Sequence, residues 1–174
     1  MRRVALALFV LAIGSMSATT VTQGTWYDLA WNGPVGTPLT NGPGFAFTTD
    51  PGAPPWTFNA TAPFTLFITD CCAGGDRFEV FDNSASVGVT PVPSTIGSCF
   101  GPPDGCVGNP ALSQASFLFG AGSHSFTFTA FAEIASTSTE AFFRLDAADT
   151  PEPSTWIFLA SGLGIAAFLR RRKA

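Results

Sequence analysis

Apolar and polar residues alternate at period two in several stretches of this chain, the pattern of half-buried β-strands. In Phe64-Thr65-Leu66-Phe67-Ile68-Thr69, residues Phe64, Leu66 and Ile68 share one face. In Arg77-Phe78-Glu79-Val80-Phe81, Phe78 and Val80 point inward while Arg77 and Glu79 share the wet face. In Ser125-Phe126-Thr127-Phe128-Thr129, Phe126 and Phe128 point inward. Residues 116–119 and 142–145 are shorter strand candidates, and Gly120-Ala121-Gly122 reads as a hairpin turn between two of these runs. No window carries a sustained helical stripe, and no internal repeat is evident. Pro and Gly interrupt the body about every ten residues, as in sandwiches. The pattern predicts an all-β body over residues 19–150, a two-sheet antiparallel sandwich.

The two ends follow another rule. Arg2 and Arg3 precede the apolar run Val4–Ile13, and Ser15-Met16-Ser17-Ala18 supplies small residues for cleavage. Residues 1–18 therefore read as a secretory signal peptide. A second apolar run, Trp156–Leu169, would be roughly 21 Å long as a helix at ~1.5 Å per residue. That is short of the ~20 residues usually needed, yet its flanks mark residues 156–169 as a C-terminal transmembrane helix. Trp156 suits one membrane interface, and Arg170, Arg171, Arg172 and Lys173 can snorkel at the other. Bases at both outer ends keep those ends cytoplasmic, so the body is expected outside the cytoplasm.

Composition sharpens this picture. Of 174 residues 18 are Phe, and only 11% are charged. Between Ala18 and Pro151 the only bases are Arg77 and Arg144, against eleven acids. Such a body has no grip on a phosphate backbone, which excludes nucleic acid as a partner. Low charge with abundant Phe also argues against disorder.

Pro151-Glu152-Pro153-Ser154-Thr155-Trp156, the apolar run with Gly162 and Gly164, and the terminal Arg170-Arg171-Arg172-Lys173-Ala174 together resemble the PEP-CTERM sorting tail of exported bacterial proteins. The resemblance covers residues 151–174. It implies an inner-membrane anchored precursor, exosortase as processing partner, cleavage near Pro151–Pro153, and transfer to the cell surface or an exopolysaccharide matrix. The two prolines favour an extended segment that a protease can bind as a strand. The body resembles the cores of other proteins with this tail, and CUB-like jelly-roll modules, through Thr69-Asp70, Gly75–Asn83, Gly88–Thr90, Gly120–Phe126 and Ala141–Asp146. That likeness implies a fold and no activity.

The candidate chemistry is sparse. Cys71, Cys72, Cys99 and Cys106 form an even set in an exported chain and predict disulfides. A bond between the adjacent Cys71 and Cys72 is disfavoured as strained. Either that pair bonds to Cys99 and Cys106, or Cys99–Cys106 closes a Pro/Gly loop. A thiolate zinc site lacks paired C-x-x-C knuckles. Asp70 and Asp76 flank a short turn and are calcium candidates, although acids at strand ends are more often turn formers. Asp82 lies a strand away from both. His124 has no G-x-S-x-G partner for a triad and reads as a surface hairpin residue. Asp76 and Glu79 could form a glycosidase pair, but spacing alone divides no acid from base. Trp26, Tyr27, Trp31 and Trp56 could form a sugar-stacking platform, yet read better as core closers. The expectation is a non-enzymatic structural or adhesive surface protein without a cofactor. A carbohydrate- or calcium-dependent binding module is the alternative, and a secreted hydrolase the third reading.

Overall fold

The computed structural model describes residues 18–132 and 140–148. The signal segment, the sorting motif, the apolar run 156–169 and the basic cluster 170–173 lie outside the described residues, as do 133–139. No helix among the described residues is long and apolar enough to cross a membrane.

Among the described residues the body has twelve strands and one short helix. They are β1 (Thr19–Thr20), β2 (Tyr27–Ala30), β3 (Thr40–Asn41), β4 (Trp56–Ala60), β5 (Phe64–Asp70), β6 (Cys72–Ala73), β7 (Arg77–Asp82), β8 (Ala85–Val89), β9 (Ser98–Cys99), α1 (Pro103–Cys106), β10 (Gln114–Phe119), β11 (Gly122–Ala132) and β12 (Glu140–Ala147). One sheet has the order β1-β4-β11-β7-β8 and the other β10-β5-β12-β2-β3, while β6 and β9 form a separate ladder. All named ladders are antiparallel except β1 with β4.

Alternation explains why the sheets pack face to face. Phe64, Leu66, Ile68, Phe78, Val80, Phe126 and Phe128 are all fully buried, each at the inward position its strand predicts. Burying an aromatic or branched side chain contributes about 1.5–3 kcal/mol. The rings interlock across the sheets: Phe143 lies 5.1 Å from Phe128 and 5.6 Å from Trp56, centroid to centroid. Trp26, Tyr27, Trp31 and Trp56 are all buried, as core closers should be. None of the four forms an exposed platform.

One expected connection is different. Residues 120–122 do not close a hairpin: β10 pairs with β5 in one sheet, whereas β11 pairs with β4 and β7 in the other. The chain crosses between sheets here because both runs serve the same core. Phe119 stacks on Phe64 at 5.3 Å and meets Phe126 edge-on at 5.2 Å. Gly122, at φ 143°, supplies the backbone freedom for the step. On the far side the two sheets meet at Gly88, where a Cβ would stand 2.9 Å from the Phe117 ring.

Candidate functional site

Asp70 ends β5 as a fully buried carboxylate. Its Oδ1 accepts from the Cys71 N–H at 2.8 Å, and its Oδ2 accepts from the N–H groups of Gly75 and Asp76 at 2.7 and 2.9 Å. The turn therefore does bring Asp70 and Asp76 together. The environment is nevertheless wrong for calcium, because three N–H dipoles converge where a cation needs oxygen ligands. Asp70 is a staple for the turn between β5 and β7. Burial pushes its pKa up to about 7, against the lowering effect of those N–H groups, with the charge of Asp76 adding to the rise. Gly74 sits inside this turn because a Cβ there would overlap the Ala111 carbonyl oxygen.

The adjacent-cysteine bond that the sequence disfavours is present, together with the Cys99–Cys106 loop closure that the sequence left open. Cys71 bonds to Cys72, and Cys99 bonds to Cys106. The stapled turn makes the adjacent bond accessible by holding Cys72 in the left-handed region at φ 66°. Cys72 also stands opposite Cys99 in the β6–β9 ladder, so the two bonds are neighbours. The Cys71 and Cys72 sulfurs and a Glu140 oxygen lie within 4.8 Å of one another. With the sulfurs bonded to each other, that group offers a metal a single carboxylate.

His124 is not a surface hairpin residue. It lies along β11 with Nδ1 2.8 Å from Asp82 Oδ2 and Nε2 3.2 Å from the Gly120 carbonyl. Its ring stacks on Phe126 and meets Phe64 edge-on. Asp82 also accepts the Ser125 N–H at 3.0 Å. Each imidazole nitrogen already faces an acceptor, an arrangement suited to locking a strand end. As the spacing predicts, Asp82 is remote from the Asp70 turn, at the other end of β7.

The outer face of the β10-β5-β12-β2-β3 sheet carries a second, smaller apolar cluster of Trp26, Cys71 and Phe142, against which Phe45, Phe67 and Cys72 pack. Asp104 of α1 accepts from Trp26 Nε1 at 3.0 Å and from Arg144 at 2.7 Å, and the Arg144 guanidinium lies 4.5 Å above the Trp26 ring. The Trp26 and Arg144 hydrogen bonds hold the Asp104 carboxyl below the usual range. This tie fastens the Cys99–Cys106 loop over the sheet. Beside it opens a recess of about 240 Å3, lined by Phe45, Phe47, Phe100, Phe142 and the Cys71–Cys72 bond. The sequence reading missed it, although two Phe residues in the Gly/Pro-rich run Gly42–Gly52 were a visible signal. Another hollow, about 490 Å3, lies between Pro38, Pro54, Pro55 and Phe81 and is lined by no titratable group.

Residues 149–173 match the family described as the PEP-CTERM protein-sorting motif. The match begins directly after the last described strand and spans every tail residue singled out by sequence, from Pro151 to Lys173. No curated protein matches the chain. The chain thus carries a PEP-CTERM sorting motif, which implies an exported, membrane-anchored precursor processed by exosortase.

Proposed function

We propose that this chain is a non-enzymatic surface protein whose β-sandwich body acts as a structural and adhesive module of the cell envelope or its exopolysaccharide matrix. The carrying observation is the join between the two parts. The last described strand of the disulfide-bonded sandwich ends at Ala147, and the sorting motif begins at residue 149. Signal removal after Ser17 or Ala18 and exosortase cleavage near Pro151–Pro153 would release that body intact. Disulfides suit the oxidising compartment. The strand orders β4-β11-β7-β8 and β10-β5-β12-β2 support a jelly-roll reading of the sandwich, CUB-like in general form.

The experiment is fractionation of cells making the chain with an epitope after Ala18, in hosts with and without exosortase. Surface or matrix recovery that depends on exosortase supports the reading. Recovery of the same uncleaved inner-membrane species from both hosts overturns it. The binding-module reading is favoured by one observation, the aromatic recess. Its calcium form loses support from the N–H donors around Asp70.

A further inference from the structure

The recess on the outer sheet face joins ring walls to negative charge. Phe45 and Phe47 are parallel, 5.5 Å apart with 1° between their planes. Phe142 stands perpendicular to both, at 5.7 and 6.3 Å and at 78° and 79°. Phe100, 79% exposed, stands at the mouth, and Phe47 is 39% exposed. Phe45 and Phe47 stack and Phe142 meets them edge to face, so the recess is walled by aromatic carbon, a surface on which organic cations are held.

Carboxylates border the same walls. Glu140 Oε2 lies 3.5 Å from Cys72 Sγ, a wall atom. Asp28 pairs with Phe142 across the β2–β12 ladder. Its Oδ2 accepts the N–H of Gly44, the residue before Phe45, while its buried Oδ1 has no hydrogen-bond partner. Burial raises both acids, Asp28 to about 6, and the charges of Glu140 and Asp50 add to the rise at Asp28. The two arginines of the body are already paired, Arg144 in the tie beside the recess. Arg144 pairs with Asp104 and Asp146, and Arg77 donates to the Thr90 carbonyl beneath Phe131. An anion therefore finds no partner here. A neutral apolar group would satisfy the rings and leave the carboxylates uncompensated. A positive charge on a carbon frame satisfies both.

The geometry points to a binding site for an organic ammonium ion in the recess formed by Phe45, Phe47, Phe100, Phe142 and the Cys71–Cys72 bond, with Glu140 as the charge partner. The volume, about 240 Å3, falls below the ~300–1,000 Å3 of pockets for drug-sized ligands. It suits a single head group or ring. A free quaternary ammonium compound and an amino-sugar unit of a polymer share this chemistry. The inference does not depend on the tail, so its failure would leave the surface reading standing.

The test is calorimetric titration of the purified mature chain with choline and with its uncharged carbon isostere, 3,3-dimethylbutan-1-ol. Glucosamine oligomers and their N-acetylated forms make the second arm. At least one ammonium probe should bind at least about 5-fold tighter than its uncharged counterpart, as cation–π attraction requires. Choline alone binding points to a small quaternary compound, and glucosamine oligomers to an amino sugar. Glu140→Gln should narrow the gap between charged and uncharged probes, leaving only what the rings supply. Phe100→Ala should weaken the ammonium probe several-fold with near-ultraviolet circular dichroism unchanged, since Phe100 is outside the cores. No saturable binding of either ammonium probe, equal binding of the uncharged counterparts, or full affinity in both variants would overturn the site.

Discussion

Asp28 and Asp70 are acids held where water does not reach, and that fixes how stability responds to pH. Unfolded, each has the ordinary value of 3.8; folded, Asp28 moves to about 6 and Asp70 to about 7. Both raised values have burial as the largest cause. Below pH ~4 both groups are protonated in either state. As pH rises from there through about 7, the unfolded chain releases these protons first, so their contribution to stability is lost. Asp28→Asn removes one such group and keeps an oxygen for Gly44. Urea unfolding should show the variant gaining about 2–3 kcal/mol relative to the parent between pH 4 and pH 8. Parallel pH curves would contradict buried ionisation at Asp28. The sequence shows Asp28 only as one of the eleven acids of the body. Its burial arises because residues 42–44 fold across it, and Gly42 has no Cβ to overlap its carboxylate. The inward Phe residues were legible because alternation alone decides their face. Phe64, fully buried against Phe58, Phe119 and Phe126, should cost about 3–5 kcal/mol when replaced by Ala, read by denaturant midpoint.

At the scale of elements, strands β5, β7, β10, β11 and β12 stand where period-two patterning put them, whereas the connection between β10 and β11 does not. Local pattern says which face of a strand is apolar. It is silent on which sheet the strand joins, because both sheets face one core. The cysteines are a similar case. Their even number predicted pairing, but the partner choice goes with a left-handed Cys72 inside the turn that Asp70 staples, which no sequence pattern announces. The two bonds should differ in weight. Cys99–Cys106 closes a loop with a sequence separation of 7, whereas Cys71–Cys72 closes none, with a separation of 1. On the chain-entropy account, Cys99→Ser with Cys106→Ser should lose about 2 kcal/mol, and Cys71→Ser with Cys72→Ser distinctly less. Peptide mapping by mass spectrometry should recover both linkages with no free thiol. A Cys72–Cys99 linkage in its place would refute the assignment. In the same turn, Gly74→Ala should destabilise by about 1–3 kcal/mol through overlap with the Ala111 carbonyl, read as a lower thermal midpoint.

The whole molecule joins a body that holds itself together to a tail that gives it an address. The tail was the most legible part of the sequence. Its motif, apolar run and basic cluster occur together in fixed order, whereas the recess depends on residues from Phe45 to Phe142 that only the fold brings together. If the body lies outside the cytoplasm, alkaline phosphatase fused at Asp149 should be active, and a cytoplasmic reporter fused there should be inactive. Replacing Arg170, Arg171, Arg172 and Lys173 with Ser should remove the cytoplasmic anchor, so that the chain passes through the membrane unsorted. Changing Pro151, Glu152 and Pro153 to Ala should leave the anchor in place and abolish recognition. The most direct measurement is the intact mass of the surface-recovered chain, taken for the parent and the triple-Ala variant in hosts with and without exosortase. The account predicts a parent species beginning after the signal segment and ending near Pro151–Pro153. It predicts uncleaved inner-membrane protein for the variant, and for the parent when exosortase is absent. A triple-Ala variant processed and delivered like the parent would contradict it, and would reduce Pro151–Pro153 to a linker before an ordinary anchor.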